Sequence, residues 1–208
     1  MANASLNQTK SSLSAEFAVV QDGANVYEVK IPFNYPGYHA EIYESGSLMY
    51  SIRWDIGKNL NGVVQKGTNK ELAVYNVCDP SGNIVGHMSR KRSKFWGGYF
   101  YFILEFGGVE YQLYEVGLGK QGIKLPLYRN EMQVALIEKD ITVYNNCDTY
   151  QIQFGDKTSL LASTLLTLYY DNLRFGNHGE VVTNTKKSFY YLSTNKELKQ
   201  KYNPDWRP

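Results

Sequence analysis

The sequence predicts an all-β protein, an antiparallel closed barrel of about twelve strands wrapped around one buried hydrophobic α-helix over 157–175. Three observations predict it. Short runs of alternating apolar and polar residues succeed one another from Phe17 to residue 154, at the 8–12-residue spacing of sandwiches and barrels. Tyrosine is used 18 times, and aromatic side chains suit a pleated, half-buried surface. After these strands comes "TSLLASTLLTLYY", Thr158 to Tyr170, which holds no charge.

In chain order, the candidate strands are 16–21, 26–32, 38–45, 48–54, 71–77, 83–90, 97–106, 109–116, 122–128, 132–138, 140–145 and 148–154. Turn signals separate them: "QDGAN", "NYPG", "ESGS", "DPSGN", "FGG", "GLGKQG", "YRNE" and "NNCD". In "DPSGN", Pro80 presets φ and Gly82 tolerates a positive φ. Residues 55–70 form the loosest loop. "YNVCD" at 75–79 and "YNNCD" at 144–148 suggest related strand-end turns. The helix starts at an Asp156 or Thr158 cap and ends before Gly176. Its apolar residues, including Leu160, Leu161, Leu165, Leu166 and Leu168, cover most of its circumference, so it is buried on all sides. It is too short to span a bilayer, which needs ~20 residues. A twelve-stranded barrel is too wide to be filled by strand side chains alone, and the helix is its natural plug. Any site is then on the outside or at a rim.

The 208 residues form one domain, 43% apolar and 20% charged. A polar, Asn/Ser-rich arm over 1–14 reads as disordered. The barrel spans 15–180, and a basic extension over 181–208 packs on it. The arm has neither the basic start nor the apolar core of a signal peptide. Net charge is +2, too small to imply nucleic acid. Cys78 and Cys147 are too few for a disulfide framework or a zinc site and read as reduced thiols, giving a cytoplasmic expectation.

"VCDPSGNIVGHMSRKRSKF" and "TSLLASTLLTLYYDNLRF" resemble the tubby C-terminal-like superfamily, which includes the phospholipid scramblases and the LURP-one-related proteins. The stretch from "YEVGLGKQG" to "YNNCDTYQI" resembles bacterial members of that group. The resemblance covers roughly residues 15–180. It implies a barrel around a late hydrophobic helix, and from the tubby proteins an affinity for phosphoinositide head groups. The scramblases' cysteine cluster, acidic calcium segment and further hydrophobic segment have no counterpart here, so lipid scrambling is not carried over.

"GLGKQG" satisfies the dinucleotide string Gly117-x-Gly119-x-x-Gly122. That chemistry needs a helix after the last glycine. Residues 123–128 instead read as a strand containing Pro126, so a hairpin loop is expected. "SRKRSKFW" is the densest basic cluster. Along a strand, Arg90, Arg92 and Lys94 share a face and Lys91 takes the other. With Trp96, they form the candidate ligand site, suited to an anionic lipid surface; a solvated face or a guard against edge pairing is the plainer reading. The tail carries six cations from Lys186 onward against Glu197 and Asp205. His39, His87 and His178 lie far apart, and Asp beside each Cys works against a reactive thiolate. Asp171 and Asn172, at the helix end, suit the satisfaction of strand carbonyls. No catalytic residue, metal or cofactor is expected. The sequence leads to a non-enzymatic binding or adaptor protein that touches an anionic membrane or a phosphoinositide-like head group. A competing reading is a small-molecule-binding or hydrolytic protein using a pocket at the barrel rim.

Overall fold

Buried and exposed positions alternate along the strands. In β3 (Ala24–Ile31), Tyr27, Val29 and Ile31 are buried while Glu28 and Lys30 are exposed. In β2 (Ala15–Gln21), Ala15, Phe17 and Val19 point inward. The computed structural model describes residues 2–12, 14–32, 39–62, 71–175, 187–188 and 191–208. The remaining strands are β1 (Ala2–Ser11), β4 (His39–Glu44), β5 (Ser47–Trp54), β6 (Leu72–Cys78), β7 (Ile84–Arg92), β8 (Phe100–Phe106), β9 (Val109–Tyr114), β10 (Val116–Gly119), β11 (Ile123–Arg129), β12 (Met132–Lys139), β13 (Thr142–Val143), β14 (Thr149–Phe154), β15 (Lys187–Ser188) and β16 (Tyr191–Leu192).

Twelve of these strands close into an antiparallel barrel. Strands β1 to β9 pair in sequence, β9 pairs with β11, β11 with β12, β12 with β14, and β14 returns to β1. Closure leaves no barrel edge exposed. β10 continues beyond β9 and pairs with β11 on one side and β16 on the other.

Helix α2 (Lys157–Arg174) runs into this barrel, and every residue from Ser159 to Asp171 is buried. Leucines 160, 165, 166 and 168 share one core with Leu6, Val29, Ile42, Ile52, Val77, Leu104, Leu125 and Ile137, which come from strands all round the ring. Two hydroxyls on this helix are satisfied by folding back on it: Ser163 donates to the Ser159 carbonyl at 2.7 Å and Thr164 to the Leu160 carbonyl at 3.0 Å. Tyr169 and Tyr170 pack edge-on against Phe102. β6 carries a register shift between Leu72 and Tyr75, with Ala73 at φ 51°, and the Ala73 carbonyl accepts the Tyr169 hydroxyl at 2.8 Å.

Several sequence expectations need correction. The arm over 1–14 is not disordered: Ala2–Ser11 is a barrel strand, with Ala4 opposite Ile152 and Leu6 opposite Tyr150. Its polar composition hid it, since only alternate residues such as Ala4 and Leu6 face the core. The loop expected over 55–70 begins with a helix, α1 (Ile56–Gly62), started by Asp55, whose carboxylate accepts the Lys58 amide at 2.8 Å; residues 63–70 lie outside the described residues. The strand expected over 140–145 reduces to β13, paired with β15. The two "YN-CD" stretches differ: 75–78 is strand, whereas Tyr144 bridges Cys147 across a tight turn with Asn145 and Asn146 both at positive φ. The single strand expected over 109–116 breaks at Glu115. Gly176 and His178 lie outside the described residues.

The end of the chain packs on the barrel wall. β16 pairs with β10, and the Gly117 amide donates to the Ser193 hydroxyl at 2.9 Å. The short α3 (Lys196–Lys199) buries Leu198 against Tyr114 and Val116. The Tyr128 hydroxyl donates to the Lys201 carbonyl and the Trp206 indole to the Gln133 carbonyl.

Candidate functional site

Met88 is fully buried and points inward from β7. Arg90 is two residues on, so it takes the same face and meets the mouth of the barrel where α2 ends, not the outer wall. Its guanidinium lies over the Phe100 ring, 4.5 Å from the centroid. Its Nε is sealed from water without a hydrogen-bond partner, and no described residue forms an ion pair with it. Arg90 lines a rim pocket of about 240 Å³ together with Tyr99, Phe102, Glu115, Arg174 and Asn195.

Opposite Arg90, the break between β9 and β10 places Glu115 against the last turn of α2. Glu115 is buried, and its Oε1 accepts Arg174 Nη2 at 2.7 Å and Nε at 3.3 Å. Burial holds the Tyr170 phenol far above its ordinary range, and the Glu115 charge pushes it further the same way. The outer wall comes from the tail. Asn195 donates to the Gly97 carbonyl at 2.8 Å, and Glu197 pairs with Lys94 at 2.5 Å.

The four residues expected to form one basic outer face are therefore dispersed. Arg90 enters the pocket. Arg92 is exposed, with its guanidinium 5.6 Å from the same Phe100 ring. Lys94 turns to Glu197, and Lys91, on the other face, pairs with Glu71 at 3.2 Å. Trp96 stands outside the pocket, 84% exposed, at the tip of the β7–β8 loop with Phe95 (57% exposed) edge-on beside it. The loop is clamped where it leaves the barrel, by the Ser93 amide to the Tyr99 carbonyl and the Tyr99 amide to the Ser93 hydroxyl. Gly98 allows this turn, because a side chain there would strike the Lys94 backbone.

A second polar cluster lies at the same end of α2, wholly buried. The Tyr150 hydroxyl donates to Asp171 Oδ1 at 2.6 Å. The Lys139 ammonium contacts Asp148 and lies over the rings of Tyr150 and Phe175 at 4.8 and 4.3 Å. Burial, then the nearby Asp148 charge, pushes the Asp171 carboxyl up to about 7. Two carboxylates facing one ammonium in a dry site favour a retained proton. Asn172 donates to the Tyr75 hydroxyl at 3.4 Å. Sequence reading singled out Asp171 but missed Lys139, Asp148, Tyr150, Glu115 and Arg174. No local motif marks any of these: Glu115 and Arg174 meet across 59 residues, and Lys139 and Asp148 meet only through the β12–β14 pairing.

Gly117 to Gly122 form the β10–β11 hairpin, with Gly119 and Gly122 at positive φ. His87 Nδ1 lies 2.8 Å from Asn76 Oδ1, and His39 contacts Glu41. Cys78 and Cys147 are free thiols, and burial pushes both up from the ordinary thiol range. Among the described residues, no group of three His, Cys, Asp or Glu side chains is placed to hold a metal ion, and no helix is long and apolar enough to cross a membrane. No family model, no curated protein and no solved structure matches this chain.

Proposed function

We propose that this is a non-enzymatic, tubby-like binding protein that docks on anionic membrane surfaces through the β7–β8 tip. The observation that carries the reading is the exposed Phe95–Trp96 pair on a clamped loop, beside Arg92 and Lys94. An amphipathic ring such as Trp partitions to the head-group level of a bilayer. Neighbouring cations are drawn to the negative surface, each contributing ~1 kcal/mol. The Lys94–Glu197 pair is exposed on both sides. Such pairs are weak, so Lys94 can exchange Glu197 for a lipid phosphate. α3, whose start is tied to this loop through Asn195–Gly97 and Glu197–Lys94, adds Lys196 and Lys199.

Co-sedimentation with vesicles tests this. Phosphatidylcholine vesicles alone should not retain the protein, whereas vesicles containing phosphatidylserine should. Binding should weaken from low salt to ~0.15 M, where the Debye length is ~8 Å. Arg92→Ala should lower it about fivefold, and Trp96→Ala should remove the binding that survives at the higher salt. Equal binding by wild type and Trp96→Ala would eliminate the tip as the docking element.

A further inference from the structure

We infer that the rim pocket binds one small organic anion, a carboxylate or phosphate monoester carrying an apolar group, through the guanidinium of Arg90. This site is separate from the exposed Phe95–Trp96 tip, neither ring of which lines it.

Arg90 and Arg174 face the pocket in different states. Arg174 is neutralised by Glu115 through two hydrogen bonds. Arg90 has no acceptor and no counter-ion among the described residues, and its Nε is cut off from water. A guanidinium partly withdrawn from water without a partner carries an unrecovered desolvation cost, which an oxyanion bonded to its terminal N–H groups would offset. Phe100 fixes the plane of the group by stacking. A planar guanidinium held in this way offers paired N–H donors that match the oxygens of a carboxylate or phosphate. Two arginines against one glutamate leave the pocket one positive charge in excess.

The walls set the rest of the ligand. Phe100, Phe102 and Leu198 are apolar, and Tyr99 adds a half-buried ring. The volume of about 240 Å³ falls below the ~300–1,000 Å³ of sites for drug-sized molecules. The pocket therefore takes a ring-sized body with a single anionic group rather than a whole nucleotide. Thr194 and Asn195 place the tail in the wall, so the tail contributes to the site.

Calorimetric titration of the full chain without lipid tests the inference, using phenyl phosphate, benzoate, inorganic phosphate and benzyl alcohol as probes at ~0.15 M ionic strength. Phenyl phosphate or benzoate should bind, and the stronger of the two identifies the oxyanion. Inorganic phosphate should bind more weakly for lack of an apolar body, and benzyl alcohol should not bind. Arg90→Gln should weaken the best probe at least about tenfold. Arg129→Gln, which removes an equal charge at the other end of α2, should leave it unchanged. Should Arg90→Gln fail to fold, the Nε–H resonance of Arg90 in the wild type gives the same reading and should shift on titration. The inference fails if neither organic anion binds at millimolar concentration. It also fails if benzyl alcohol or inorganic phosphate binds as well as they do, or if the Arg90 substitution or resonance is indifferent to the probe. No vesicle is present, so these outcomes leave the membrane reading to its own experiment.

Discussion

The two ends of helix α2 solve the same problem by opposite means. At its start, Asp156 accepts the Ser159 amide at 2.7 Å and the Ser159 hydroxyl at 2.9 Å, Arg129 stands 3.4 Å away, and Lys157 pairs with Glu44 at 2.8 Å. Asp156, Arg129, Lys157 and Glu44 are at least partly exposed, and the cap itself is local in the chain. At its end, Asp171 and Arg174 meet Tyr150 and Glu115 from β14 and from the junction of β9 and β10. There Lys139, Asp148, Tyr150 and Asp171 are almost fully buried. Water supports the first end, whereas at the second end each charge depends on another charge. The same kind of contact therefore carries very different weight: an exposed ion pair contributes ~0–1 kcal/mol, while removing one partner of a buried pair costs roughly 3–5 kcal/mol.

The middle of the helix sets the upper limit of this scale, since neither water nor a counter-ion reaches it. Leu165 is fully buried. Leu165→Asp should yield no soluble folded protein, and the milder Leu165→Ala should lose roughly 2–5 kcal/mol in urea denaturation. Wild-type solubility and melting temperature in Leu165→Asp would disprove burial of the helix. Next comes Lys139→Met, which leaves Asp148 without its cation and should cost roughly 3–5 kcal/mol. A loss no larger than that of a surface substitution would erase the difference between the two ends.

Protons should distinguish the ends as well. The folded Asp171 carboxyl titrates at about 7, above its unfolded value. The folded state therefore holds a proton that the unfolded chain has already released. This contribution to stability is full below the unfolded carboxylate range and is lost as pH rises through about 7. The negative end of the helix dipole acts in the same direction. The melting temperature should fall as pH rises from about 4 to about 7 and level off above that, and Asp171→Asn should flatten that slope. At the other end, hydrogen bonds from Ser159 and the Arg129 charge hold Asp156 below the usual carboxylate range despite its partial burial, so its contribution is lost only in acid. Asp156→Ala should cost ~1 kcal/mol by loss of the cap. Smallest of all, Lys157→Ala should leave the melting temperature unchanged, because that pair stands in solvent.

The same contrast explains what could be read from the sequence. Strands announce themselves by period two, and the helix by leucines all round plus an Asp just before it, so the barrel, its plug and the Asp156 cap were legible. β1 was not, because a strand whose inward residues include Ala4, Leu6 and Gln8 looks like a polar arm. The buried end was illegible because Lys139 and Asp148, which meet across the β12–β14 pairing, are joined to Asp171 only when the helix is packed inside the barrel. Arg90 lies between these cases. The alternation correctly grouped it with Arg92, but the face was assigned outward. Met88, two residues earlier on that face, was the available sign that it points inward.

Closure through β1 also dictates the order of assembly. A nascent chain emerges first strand first, yet Ala2 pairs with Phe154. β1 can hold β2 from the outset, but its second neighbour is made only after eleven other barrel strands. Until then, the growing sheet carries an open margin that any passing strand could join. The margin presented by "ANASLNQTKS" is rich in amide and hydroxyl side chains and poor in β-branched and aromatic ones. Low intrinsic strand preference weakens its pairing with strangers, so the segment that looks least like a strand is suited to wait longest for its partner.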